Sequence, residues 1–207
     1  MIEKWNWRRS SGLVALFVGL VLLPITGCGL SGEKFDQSWT GVSATIHTYN
    51  ENGAVLDKIH GRSLRITRDT DFDQTDSKGE VTKQSSVMSI SIGKYEMGHV
   101  GSTMVVAEDG LVNVMDRVGS TFDVDNQQFG VPWLNKIKFQ FQNYFTGKSQ
   151  IVMVRSQNGS PIGVFTGNSV QKFPTEVPNS TWFEIDGKML LVYRADLTRY
   201  DTELVQR

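Results

Sequence analysis

Between Asp69 and Glu80 the chain reads DTDFDQTDSKGE, an acidic stretch whose one cation is Lys78. Asp at loop positions 1, 3 and 5 with Glu at position 12 is the oxygen-ligand spacing of a calcium loop. Asp69, Asp71, Asp73 and Glu80 are therefore the candidate metal ligands, with the Thr75 carbonyl beside them. Two positions depart from the pattern. Gln74 stands where the sharp turn needs glycine, and Asp76 where an apolar residue anchors the loop. The expectation is a solvated hairpin tip, with a weak calcium site as the alternative and no other cofactor.

The three histidines are the next reactive groups. A two-residue Asn52-Gly53 turn sets Ile46 against Ile59, Thr45 against His60 and His47 against Lys58. His47 and His60 then become diagonal neighbours on one face. Two imidazoles fall short of the three protein ligands that a zinc site needs, and His99 stands elsewhere in the chain. Gly98-His99-Val100-Gly101-Ser102 brings a His and a Ser close in sequence, yet no serine sits in a G-x-S-x-G elbow. Glycosidase chemistry needs two carboxylates on facing strands. Glu96, Asp109, Glu176, Glu184 and Asp186 show no such pairing in the sequence. No catalytic residue is expected.

Cys28 is the only cysteine in 207 residues. Lys4, Arg8 and Arg9 precede an apolar run from Leu13 to Ile25, and Ile25-Thr26-Gly27-Cys28 follows. This is the layout of an export signal. A thirteen-residue helix rises roughly 20 Å, short of the ~30 Å hydrocarbon core, so a permanent span is not expected. The last four residues resemble a lipobox, the pattern of bacterial lipoproteins. That resemblance implies a diacylglyceryl group on the Cys28 thiol and cleavage before it. Two acyl chains at ~0.8 kcal/mol per buried CH₂ make a stable anchor. The expected address is the cell membrane, lipid-anchored on the extracytoplasmic face. Removing Lys4, Arg8, Arg9 and Glu3 from 21 basic and 22 acidic residues leaves 18 and 21, a net charge of −3. Such a balance lacks the basic footprint of a nucleic-acid binder.

These residues need a scaffold, and the sequence pattern reads as strands. Val42 to Tyr49 alternates, with Ala44 and Ile46 on one face and Thr45, His47 and Tyr49 on the other. Asn52-Gly53 and Val55 to Ile59 complete a hairpin. At a constant offset of 106, Asn52, Gly53, Gly61 and Ser63 reappear as Asn158, Gly159, Gly167 and Ser169. Leu56, Ile59 and Leu64 match Ile162, Phe165 and Val170. Further on, Ile92-Gly93-Lys94 resembles Asp186-Gly187-Lys188 at an offset of 94, which implies a twelve-residue insertion in the first half, at the acidic loop. Between the halves, Trp133, Ile137, Phe141 and Tyr144 follow helical spacing over 131–145. Ile137, Phe139 and Phe141 also alternate, and Gly147 as a stop favours the helix.

The pieces ATIHTYNENGAVLDKIHG, IVMVRSQNGSPIGVFTGNSV and WFEIDGKMLLVYRADLTRYDTELV, behind a lipobox, resemble an uncharacterised family of Gram-positive lipoproteins. That family is a domain of unknown function in lactic-acid bacteria and their relatives. The likeness covers roughly 42–205, rests on turns and core strands, and carries over no reactive residue.

The chain is thus read as a leader at 1–27, a lipidated Cys28 with a polar tether to 41, and a β-rich domain at 42–207. The fold class is mainly β (α+β), with related hairpin-rich halves at 42–116 and 150–206 around a central helix at 131–145. The expected role is a non-enzymatic surface module contacting an unknown protein, glycan or envelope polymer. A cell-wall-active hydrolase and a weak calcium-binding surface domain are the alternatives. A cleft of convergent titratable residues would favour the hydrolase.

Overall fold

The computed structural model describes residues 38–117 and 131–205. The leader, Cys28 and most of the tether lie outside the described residues. The described chain is mainly antiparallel β. Strand β1 (Ser38–Tyr49) and β2 (Val55–Arg68) form the first hairpin. After short strands β3 (Gln74–Thr75) and β4 (Val81–Lys83) come β5 (Met88–Ile92), β6 (Tyr95–His99) and β7 (Thr103–Glu108). A 3₁₀ turn at Val114–Arg117 closes the first half, and helices α1 (Val131–Gln140) and α2 (Gln142–Phe145) follow. The second half contains β8 (Gln150–Arg155), β9 (Pro161–Gly167), β10 (Val170–Phe173), β11 (Ser180–Ile185), β12 (Lys188–Tyr193) and β13 (Asp196–Asp201).

Eight strands make one sheet in the order β10-β11-β12-β7-β1-β2-β5-β6, and β13-β8-β9 make a second. The large sheet is strongly rolled. His99 on edge strand β6 stacks edge-on against Tyr193 of β12 at 5.6 Å. Five inter-strand steps separate them, roughly 24 Å in a flat sheet. Trp39 of β1 likewise meets Trp182 of β11 at 5.3 Å. The concave face encloses Trp39, Ile46, Leu64, Ile66, Met88, Ile90, Met104, Leu191 and Tyr193, all essentially inaccessible to water. Its convex face packs Tyr49, Val105, Phe183, Leu190 and Val192 onto Val152, Val154 and Phe165 of the small sheet. Ile151 and Met153, on the other face of β8, pack against Trp133, Leu134, Ile137 and Phe145. A strand covered on both faces reads as a continuous apolar run, which is why Ile151 to Val154 does not alternate.

The domain begins earlier than Val42. Trp39 is fully buried, and an irregularity at Gly41 lets it share a face with Ala44. Gly41 adopts φ +76°, and its N–H donates to Ser63 Oγ at 2.9 Å. The central helix forms but is not continuous. Phe141, at φ −117° and ψ 40°, separates α1 from α2. The helical register buries Ile137 and leaves Phe139 87% exposed, which settles the competing strand pattern.

The two halves share one pairing scheme. Ala44↔Gly61, Ile46↔Ile59 and Tyr49↔Val55 in the first hairpin become Gln150↔Gly167, Val152↔Phe165 and Arg155↔Pro161 in the second. The offset is 106 on both strands, and each hairpin has its bulge at the same place, Thr48/Tyr49 and Val154/Arg155. Neither turn is the two-residue type. Only Gly53 and Gly159 have positive φ in them, whereas both two-residue hairpin turns, types I′ and II′, need it at the first residue, Asn52 or Asn158. Asn50 Oδ1 instead accepts the N–H groups of Asn52 and Ala54, and the bulge restores the expected register.

Downstream the equivalence continues at an offset of 93, not 94. Leu64↔Ile92 corresponds to Val170↔Ile185, and Ala44↔Glu108 to Gln150↔Asp201. Matching glycine letters misled the sequence comparison: Gly93 is the first turn residue after Ile92, but Gly187 is the second after Ile185. The insertion is therefore thirteen residues, between Arg68 and Met88, and includes the acidic stretch. The halves diverge at Asn168-Ser169. There the second copy breaks, and β12 carries its outer strands onto β7 of the first.

Candidate functional site

The outward face of β1 offers Thr45, His47 and Tyr49 in succession. Tyr49 is 6% exposed, its ring packed in the core between the sheets. Its hydroxyl has no hydrogen-bond partner among the described residues, and it lines a cleft of about 160 Å³. His47 stands beside it with ring centroids 6.0 Å apart. The hairpin register sets Lys58 directly opposite His47. Val105, Ala107 and Phe165 give the cleft an apolar lining.

Asp116 supplies the facing wall, from the 3₁₀ turn after β7. Asn113 fixes that turn to the second half. Its Nδ2 donates to the Ile162 carbonyl at 3.1 Å, and its Oδ1 accepts the Val164 N–H at 2.9 Å. The same Oδ1 accepts the Met115 N–H at 3.1 Å, and Nδ2 also reaches Asp116 Oδ1 at 3.3 Å. The cleft therefore lies where the first half's sheet meets β9 of the second.

Electrostatics in the cleft follow from this packing. Burial lowers the pKa of His47 below 6.5, with the Lys58 charge acting in the same direction and Asp116 opposing. His47 is thus a neutral imidazole at neutral pH. Burial, reinforced by Asp116, pushes the Tyr49 phenol up to about 12, so it stays protonated. Glu108 and Asp109 also line the cleft but are engaged. Glu108 accepts from Lys188 Nζ at 2.5 Å and from the Met189 N–H at 3.0 Å. Asp109 meets His60 Nε2 at 2.9 Å. Lys58 and Asp116 belong to no ion pair among the described residues, and His47, Tyr49 and Lys58 keep free polar atoms. The cleft can donate from a phenol and an ammonium, accept at a carboxylate, and do either at an imidazole.

The other sequence candidates go elsewhere. His99 Nε2 lies 3.0 Å from the Ser102 carbonyl, not its hydroxyl, so no His–Ser dyad forms. Asp69, Asp71, Asp73 and Glu80 do not gather around a common point. Asp69 Oδ1 accepts the Asp71 N–H as the cap of a short 3₁₀ turn. Asp73 is bound by Arg68 and by the Ser85 N–H, and these bonds hold its carboxyl below the usual range. Asp76 Oδ1 accepts the N–H groups of Lys78 and Glu80, making a turn of its own. No cluster of three metal-ligating side chains forms among the described residues. Among the enzyme-type carboxylates, Glu96 accepts from Ser89 at 2.6 Å. Asp186 accepts from Lys148 at 2.6 Å and from the N–H groups of Asn168 and Ser169, which lower its pKa. A second cleft of about 230 Å³ lies beside that ion pair, but its charges, Lys148, Asp186 and Lys188, satisfy one another or Glu108.

Tyr49 and Asp116 are the site residues that sequence reading did not single out. Tyr49 was legible as the third outward residue of β1 after Thr45 and His47. Asp116 carried no signal, because a loop and a 3₁₀ turn bring it back to β1.

Over residues 12–205 the chain matches the model of a domain of unknown function, DUF5052, and it belongs to that family. Neither a curated protein nor a solved structure matches it. No helix among the described residues is long and apolar enough to cross a membrane.

Proposed function

We propose that this protein is a lipid-anchored module on the outer face of a cell membrane, of the kind found in Gram-positive cells, which binds an envelope polymer through the His47 cleft. The anchor rests on the lone Cys28 behind a basic and apolar leader. The observation that carries the binding reading is the 6%-exposed Tyr49, whose unpartnered hydroxyl opens into a cleft shared with His47, Lys58 and Asp116. The packed ring holds that hydroxyl in place, apolar at one end and wet at the other, so it can donate to or accept from a ligand without being rearranged. Membrane-bound material is restricted to partners near the surface, which suits a polymer of the envelope and no nucleic acid.

The hydrolase reading keeps one specific support, the neutral His47 beside Thr45, Tyr49 and Asp116. A binding module leaves the polymer's chain length unchanged; a hydrolase shortens it and stops doing so in His47→Gln. The test of the proposed role is co-sedimentation of the full-length lipoprotein, in detergent, with purified envelope polymer. Binding that falls in Tyr49→Phe, His47→Gln and Lys58→Met supports the cleft. Binding that survives all three places the contact elsewhere and contradicts the proposal.

A further inference from the structure

We infer that the ligand group entering the His47 cleft is a small zwitterion of amino-acid size, with its carboxylate toward Lys58 and its ammonium toward Asp116. The inference rests on the cleft being a binding site, and goes further by naming the chemistry it selects.

The cleft contains two opposite charges that do not neutralise each other. Lys58 lies across from His47 on β2, and Asp116 stands on the 3₁₀ turn held by Asn113. Both line the same cavity, and no ion pair within 4.0 Å joins them. Of the acidic neighbours, Glu108 is paired with Lys188 and Asp109 has a hydrogen-bond partner in His60, so Asp116 is the carboxylate of the cleft without a basic partner. A purely anionic ligand would meet Asp116 with nothing to offset it, and a purely cationic one would meet Lys58. One molecule carrying both charges satisfies both walls.

Size limits the choice further. About 160 Å³ is room for roughly five waters at ~30 Å³ each, and hence for a ligand of about five or six non-hydrogen atoms. Glycine and alanine fit this range. Val105, Ala107 and Phe165 provide an apolar lining for a short side chain, and the Tyr49 hydroxyl is a third fixed polar contact. Neutral His47 adds hydrogen bonding without a competing charge. The same group occurs as a free amino acid, or as the far end of a diamino diacid residue in a polymer-borne peptide, where one carbon keeps both its amine and its carboxylate; an ordinary peptide terminus keeps only one of the two. Both are tested.

The experiment is calorimetric titration of the full-length protein in detergent with alanine, ethylamine and propionate, with the His47 ring resonance as a site-specific readout. Alanine should bind and shift that resonance, and each singly charged analogue should bind about tenfold more weakly, as expected for loss of a charged hydrogen bond. Lys58→Met should weaken alanine about tenfold and leave ethylamine unweakened or tighter, since the like charge is gone. Asp116→Asn should reduce alanine to the level of propionate. Measurable alanine binding that is no tighter than that of both analogues, or that is unaffected by Lys58→Met, overturns the inference. If alanine is silent while an envelope fragment whose peptide carries such a diamino diacid end shifts His47 and loses affinity in both variants, the zwitterion is the polymer-borne form. If fragments lacking peptide ends shift His47 and alanine does not, the zwitterion fails while the binding site stands. If nothing shifts His47, both fail.

Discussion

Asn158 Nδ2 donates a hydrogen bond to Asn52 Oδ1 at 3.0 Å, joining the same position in the two halves of the chain. Ser156 Oγ and the Asn158 N–H both donate to the Glu51 carbonyl, at 2.6 and 3.2 Å. The two equivalent turns thus meet tip to tip, so the residues that define the repeat also hold it together. In a double-mutant cycle, Asn52→Ala and Asn158→Ala should couple by about 0.5–1 kcal/mol in denaturant unfolding, the ordinary value of one hydrogen bond. Additive effects would mean the contact does not hold the halves together.

Gly61 and Gly167 are equivalent for a steric reason. A Cβ on Gly61 would overlap Ile92 Cγ2, and one on Gly167 would lie 2.7 Å from Ile185 Cγ2. Ile92 and Ile185 are themselves equivalent at the offset of 93. Gly61→Ala and Gly167→Ala should each destabilise by about 1–3 kcal/mol, the cost of overpacking. Ile92→Ala should partly rescue the first and not the second. Unfolding midpoints of the four combinations check this, and a rescue without selectivity would refute it.

Much of the scaffold was legible because its signals are local. Ile46 opposite Ile59 follows from turn position and alternation, and the bulge at Thr48/Tyr49 happens to preserve that register. The repeat was legible through Gly61-x-Ser63 and Gly167-x-Ser169, because close packing of an isoleucine restricts those positions to glycine. The break at Phe141, the roll that brings His99 to Tyr193, and the approach of Asp116 to His47 depend on packing between distant segments. Periodicity carries no record of such contacts. In the acidic loop the spacing is ligand-like, and the partners that Arg68 and the Ser85 N–H give Asp73 come from outside the spaced positions, where the pattern holds no record of them.

Calcium is accordingly expected to leave the protein unchanged. The thermal midpoint of the full-length protein should be the same in EDTA and in millimolar calcium. A weak site with Kd of ~10⁻⁴–10⁻³ M would raise it by the binding free energy. A rise abolished by Asp71→Asn with Asp73→Asn would restore the metal-site reading.

His47 gives the fold a defined acid sensitivity. Its folded pKa lies below the 6.5 of an unfolded histidine, so the unfolded chain takes up the proton first. Stability should be complete above about pH 6.5 and fall as the pH drops through the folded pKa. Asp73 and Asp186, held below 3.8, act in a lower range, where their contribution is lost as they protonate. Urea unfolding from about pH 8 to about pH 5 should show a slope that His47→Gln flattens. An unchanged slope would assign the acid response to other groups.

The central claim is the proposal that the His47 cleft is where this protein meets the envelope. The most direct measurement follows the His47 ring resonance of the full-length protein while solubilised envelope polymer is added. The account predicts a saturable shift, lost in Tyr49→Phe and Lys58→Met, with the His99 resonance unmoved. Saturable binding that leaves His47 unshifted would contradict it.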